Sequence, residues 1–179
     1  MDTETKVVLD QETFDRLHAA AHRDELPKRV AIIASKGTLD MAYPPLILAT
    51  TAAAMDWEAG IFFTFYGLDI INRKKLHALK VPPLANPAMP VPVPNIIGAV
   101  PGMTAMATMM MKNMMSKQRM PTIPELLELA KTLGVKLIGC STTMGVMGVP
   151  AEDLIEGVEC AGAAAFLEYA SKAQVTLFI

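Results

Sequence analysis

The chain has 179 residues, a hydrophobic fraction of 52%, a formal net charge of -2 and two cysteines. That length suits one domain with a sizeable core. The balanced charge, with no Lys/Arg run, gives no electrostatic reason to expect nucleic acid. Two cysteines make no disulfide framework and point to a reducing compartment. The start MDTETKVVLDQETFDRL is polar and acidic, without the basic beginning and apolar centre of a secretory signal. A cytoplasmic location is therefore expected.

The first predicted helix starts at Asp10 or Thr13 and runs to about Asp24, with Phe14, Leu17 and Ala21 at helical spacing. His18 and His22 share a face at i and i+4. No third ligand and no HExxH glutamate accompany them, so a solvated face is the better reading than a metal site. Pro27 ends the helix. Arg29–Ala34 (RVAIIA) then reads as a central parallel strand covered on both faces. It stops at the polar turn Ser35–Asp40, and a helix is predicted over Ala42–Met55, with Pro44 and Pro45 in its first turn. The turn lacks the GxxxxGK[ST] pattern of a phosphate loop.

Gly60–Tyr66 is the second predicted strand, and Ile70–Leu79 a short amphipathic helix. Between Lys80 and Thr122 the pattern breaks. Most of the chain's 14 Met and 13 Pro fall between Pro82 and Pro124. The uncharged window 87–111 is long enough to cross a bilayer, but Pro90, Pro92, Pro94 and Pro101 interrupt it. The continuous helix expected over Met103–Ser116 falls short of the roughly 20 residues a span needs. It reads as a subunit interface or lid first, then as membrane-surface contact through 95–116, with an ordinary core helix as the plain competitor. Methionine, soft and unbranched, suits irregular or changing partners.

Thr122–Glu125 opens the next helix with a Thr cap, a first-turn Pro and Glu at the third position, and Gly134 closes it. The apolar run Val135–Ile138 reaches Gly139 and Cys140, followed by Ser141, Thr142 and Thr143. This reads as a strand, a tight turn and a helix start, with Ser141 or Thr142 as N-cap. A thiol there faces unpaired N–H groups and the positive helix end, which should lower its pKa below about 8.5. The plain alternative is a small buried hydrophobe. A short helix at Pro150–Ile155, a strand at Gly157–Cys160, a helix at Ala161–Ala173 and a strand at Val175–Ile179 complete the pattern.

Strands alternating with helices predict an α/β fold, a three-layer α/β/α sandwich on a mostly parallel sheet of about five strands. Ligands in such sheets bind beyond the carboxyl ends of the strands. Those ends carry Ser35–Tyr43, Tyr66–Asp69, Cys140–Thr143 and Cys160-Ala161, and no comparable cluster is expected at the other edge. If the strands of Cys140 and Cys160 are neighbours, the two thiols can exchange or pair within about 7 Å of Cα separation. Core packing is the stronger expectation for Cys160.

Lys36–Ile70, Ile123–Val149 and the ending SKAQVTLFI resemble the DsrE/DsrF-like family of sulfur-relay proteins. The closest likeness is to its longer single-chain branch, with a Pro/Met-rich insertion and a C-S-x-x-M-x-x-M-G motif, here Cys140–Gly148. The resemblance implies a single domain over 1–179 with the insertion at about 81–121, and assembly as a homo-oligomer, trimer or hexamer. It also implies a sulfur carrier or sulfurtransferase that holds sulfane sulfur as a persulfide or thiosulfonate at the matching position, Cys140. Rhodanese-like and TusA-like proteins would be its partners, no cofactor or metal is called for, and membrane association is known in the branch. Cys160 is a second thiol with a less secure match. Ser141, Thr142, Thr143, Lys36 and Thr38 are the expected anion-binding groups, with Asp40, Tyr43 and Tyr66 as pocket wall. Two other classes stay open: a thiol oxidoreductase cycling Cys140 and Cys160, and a non-catalytic oligomeric or membrane-surface scaffold built on the Met-rich helix.

Overall fold

The computed structural model describes residues 10–21, 27–82 and 102–179. His22 lies outside them, as does the proline-dense stretch 83–101, and the side chain of His18 is likewise not described. Six helices are described: α1 (Gln11–Ala21), α2 (Leu39–Ala54), α3 (Met103–Lys117), α4 (Ile123–Thr132), α5 (Ser141–Met147) and α6 (Ala163–Ala170). Five strands, β1 (Arg29–Ala34), β2 (Glu58–Phe63), β3 (Lys136–Cys140), β4 (Val158–Ala161) and β5 (Val175–Phe178), form one sheet in the order β4-β3-β2-β1-β5. Every pairing in it is parallel. The expected sandwich is therefore found, with α2 and α4 packed together on one face and α6 on the other.

Burial follows strand alternation. Ile32, Ile61, Phe63 and Leu137 point to the α2/α4 face, where they meet Leu46, Leu127 and Ala130 in the main core. Ala31, Phe62, Ile138 and Cys140 point the other way, into a smaller cluster closed by Phe166 of α6. Phe166 stacks on Phe62 with ring centroids 4.7 Å apart and is the one buried side chain of its helix.

Helix ends follow local chemistry in part. At α4 the full capping box forms, the Glu125 carboxylate accepting from the Thr122 amide at 2.7 Å, and Gly134 takes a left-handed φ of 73°. Helix α2, in contrast, begins at Leu39 rather than Ala42. The otherwise orphaned Leu39 amide donates to the Lys80 carbonyl at 2.9 Å, and the Ala42 amide reaches back to Thr38. Pro44 and Pro45 consequently sit inside the helix, not in its first turn.

The aromatic run also divides differently. Strand β2 ends at Phe63, and Phe65–Ile70 forms a 3-10 turn entered through Phe65 at a φ of +47°. Ile70–Leu79 forms no α-helix. Its backbone is held from a distance instead: the Arg73 amide donates to the Asp153 carbonyl at 2.8 Å and the Ile155 amide to Ile71 at 2.9 Å. Those pairings replace the helical ones its amphipathic pattern suggested. The predicted helix at Pro150–Ile155 shortens to a 3-10 turn, Ala151–Asp153, for the same reason.

Gly37 and Gly67 lock the loops after β1 and β2 together. A Cβ on Gly67 would run into the Ala34 carbonyl, and one on Gly37 into the Tyr66 carbonyl.

Because Phe166 is the one buried side chain of α6, Phe166→Ala should cost about 3–5 kcal/mol, the usual range for a deleted buried aromatic. A urea-unfolding midpoint unchanged from wild type would show that this face does not depend on that stack.

Candidate functional site at the carboxyl edge of the sheet

Strand β3 delivers Cys140 to the sheet edge as its last residue, and α5 begins at the next one. Cys140 is itself the N-cap of α5, correcting the expectation of Ser141 or Thr142 in that role. Cys140 keeps its strand pairing with Ala161 of β4 and the residue after it is already helical, so the cap position falls on the cysteine itself. Its sulfur therefore occupies the place of a capping oxygen, facing the amides of the second and third helical residues, Thr142 and Thr143. The neutral thiol forms no cap hydrogen bond, but those amides favour the anion.

Two hydroxyls complete the environment. Thr143 Oγ1 donates to Cys140 Sγ at 3.3 Å, and lies 2.9 Å from Thr64 Oγ1. All three residues are buried. Burial pushes the thiol pKa up, while the Thr143 hydroxyl and amide, the Thr64 hydroxyl and the Thr142 amide pull it down. The lowering contributions win, and Cys140 sits below the ordinary thiol value. Sequence reasoning missed Thr64. It terminates the run of β2, and only the β2/β3 register, with Phe63 opposite Gly139, brings it beside Thr143.

The other expected residues separate into distinct places. Ser141 and Thr142 are exposed at the start of α5, and Thr143 is buried. Lys36, Thr38, Asp40 and Tyr66 do meet, with Asp69, around a cavity of about 470 Å³ at the ends of β1 and β2. Cys140 is not among the cavity's lining residues. The loop next to Cys140 is the one carrying Thr64, since β2 lies between β1 and β3. Lys36 is thus not on the neighbouring loop. Tyr43 does not share a wall with Asp40 and Tyr66 either. It is buried on α2 and lines another cleft, of about 1080 Å³, with His77, Lys112 and Arg119. Burial, with Glu125 nearby, pushes its phenol pKa up.

Cys160 departs from expectation twice. It is exposed rather than packed in the core, and it lies within β4, not at the strand-to-helix junction. Gly139 is its register partner, so Cys160 and Cys140 point to opposite faces of the sheet. Both thiols are free. The alternation removes the basis for direct exchange between them.

The amino edge also holds a cluster the sequence did not suggest. Arg29 pairs with Glu58 and lies over the Tyr169 ring at 4.6 Å, with Lys136 on the same ring at 5.3 Å. Burial first, then Glu58 against the opposing pull of Arg29, leaves the Tyr169 phenol pushed up to about 12.

A parallel three-layer α/β domain that ends a central strand on a hydroxyl-bonded cysteine is the class this geometry defines. Residues 27–178 match the model of the DsrE/DsrF/DrsH-like family, and the chain belongs to that family. It is similar to the sulfur carrier protein DsrE2 of Allochromatium vinosum, 47% identical over 158 residues, covering 85% of this chain and 98% of that one. It also resembles the uncharacterized protein YrkE of Bacillus subtilis, 34% identical over 158 residues, 87% of this chain and 99% of that one. Among solved structures, the ychN protein of E. coli shares the fold with a TM-score of 0.52, covering 85% of this chain and 99% of that chain at 14% identity.

If the hydroxyl pair holds the thiolate, Thr143→Val should raise the pH midpoint of Cys140 alkylation by on the order of one unit. A hydrogen bond to a charged group contributes about 1.5–3 kcal/mol, and one pKa unit is about 1.36. Alkylation speeds up as pH rises through the thiol pKa, so the variant's curve moves to higher pH and Thr143→Ser restores it. Coincident curves for wild type and the Val variant would assign the shift elsewhere.

Proposed function

We propose that this protein is a sulfur carrier that takes up sulfane sulfur on Cys140 as a persulfide and passes it to an acceptor thiol. The observation that carries the reading is a thiol at the carboxyl edge of a parallel sheet, held below its ordinary pKa by two hydroxyls and two amides. The similarity to the sulfur carrier protein of Allochromatium vinosum supports it.

The Cys140 thiolate attacks the outer sulfur of a donor persulfide. A bond forms between Cys140 Sγ and that sulfur, the donor's S–S bond breaks, and the donor leaves as a thiolate. No net oxidation occurs. In the second half an acceptor thiolate attacks the same outer sulfur, and Cys140 leaves. Depressed basicity serves both halves, because the thiolate is the attacking species and also the better leaving group. A thiosulfonate anion loads by attack on its terminal sulfur, its S–S bond breaking with a sulfinate as the leaving group. Ser141, Thr142 and Thr143 stabilise the terminal anion, while Asp40 and Tyr66 serve as wall of the adjoining cavity.

The acceptor, and any protein donor, are of the rhodanese-like and TusA-like kinds on this reading. The exposed Phe65 (57%), Tyr66 (64%) and Val146 (77%), which follow Thr64 and Cys140 in the chain, give such a partner apolar contact at the sheet edge. A second role as an interaction scaffold is favoured by α3, whose Met106 and Met109 are 59% and 72% exposed. That surface suits a further copy of the chain in a homo-oligomer, or peripheral membrane contact; no helix among the described residues is long and apolar enough to cross a membrane.

Intact mass after polysulfide treatment tests the carrier assignment. Wild type and Cys160→Ser should each gain one sulfur atom that cyanide removes, and Cys140→Ser should gain none. Full loading of Cys140→Ser would overturn it.

A further inference from the structure

The cavity beside the β1 and β2 loops displays both signs of charge, and its charges are not spent on one another. Lys36 is exposed on its rim and, among the described residues, pairs with no carboxylate. Asp40, half-buried in the first turn of α2, lines the same cavity, and its buried Oδ1 accepts no hydrogen bond. A buried acceptor left in that state costs about 1–3 kcal/mol, which a ligand's donor would recover. Asp69, the other carboxylate present, already holds Lys75 at 2.7 Å. A ligand that satisfies the site must bring a cationic donor for Asp40 and an anion for Lys36.

We propose that this cavity binds the amino-acid-type, zwitterionic end of a low-molecular-weight thiol persulfide, which serves as the donor to Cys140. The proposal rests on the carrier reading and names its substrate class. At about 470 Å³ the cavity has the size of a small-ligand site. It lies at the carboxyl edge, where open parallel sheets take their ligands. Strands β1 and β3 flank β2, so two strand spacings, roughly 10 Å, separate this edge of β1 from that of β3. In a γ-glutamyl-linked thiol persulfide eight bonds, roughly 10 Å when extended, run from the amino-acid carbon to the outer sulfur, so one anchored at Asp40 and Lys36 can present that sulfur toward the cysteine. The transfer is the displacement already described: the outer sulfur moves to Cys140 Sγ, and the peptide leaves as its thiolate.

Glutathione persulfide is the reactive probe and S-methylglutathione the unreactive one. Lys36→Glu and Asp40→Asn are the variants, and loading from inorganic polysulfide is measured beside each so that any change in the reactivity of Cys140 itself is divided out. The glutathione persulfide concentration for half-maximal loading should rise about tenfold in each, as expected for losing one charged hydrogen bond. Calorimetric binding of S-methylglutathione should weaken by a similar factor, while loading from thiosulfate, which has no ammonium, should not respond to Asp40→Asn. Unchanged glutathione persulfide dependence in both variants, or no binding of S-methylglutathione to wild type at millimolar concentration, would overturn the proposal. Failure of polysulfide to load wild-type Cys140 would sink the carrier reading instead, and the S-methylglutathione titration would still decide the cavity.

Discussion

The chemistry at this edge depends on a sulfur atom that is buried and yet easier to ionise than a free thiol. Burial alone works against a thiolate, because it removes the water that would stabilise the charge. Here the loss is offset by groups already aimed at the sulfur: the Thr143 hydroxyl at 3.3 Å, the Thr64 hydroxyl behind it, and the two amides at the start of α5. Preorganised donors of this kind need no rearrangement when charge appears. A thiol packed only against Ile138 and Ala161 would stay neutral.

That arrangement requires the parallel register of β2 with β3. Phe63 stands opposite Gly139, so the residues one step further along, Thr64 and Cys140, leave the sheet side by side. A slip of one residue would turn the side chains to the other face and separate them. The same register accounts for the divergence of the two cysteines, since β4 pairs Cys160 with Gly139 rather than Cys140. Sheet and site are therefore one construction, and the main core beneath α2 and α4 is what holds the register in place.

The loops around the edge are welded as tightly as the strands. Gly37 and Gly67 admit backbone contact where no side chain would fit, and this forms the mixed-charge cavity from segments 30 residues apart in the chain. The amino edge is built differently. Arg29 pairs with Glu58 there, and Arg29 and Lys136 lie over the Tyr169 ring, while the buried Tyr169 hydroxyl has no hydrogen-bond partner among the described residues.

The alternation of apolar runs and amphipathic helices was enough to reveal the fold class, because parallel strands buried on both faces leave a continuous hydrophobic signature. The α4 capping box and the position of Cys140 at a strand end were equally legible, being set by residues within a few positions of one another. The helix expected at Ile70–Leu79 was not, because its backbone pairs with Asp153 and Ile155, far away in sequence. Nor could local pattern reveal Thr64 as a partner of Cys140, the opposite facing of Cys160, or the separation of Tyr43 from Lys36 and Asp40. Each of these follows from which strands become neighbours and in what register. Local chemistry chooses the elements; only the assembled sheet chooses what each side chain meets.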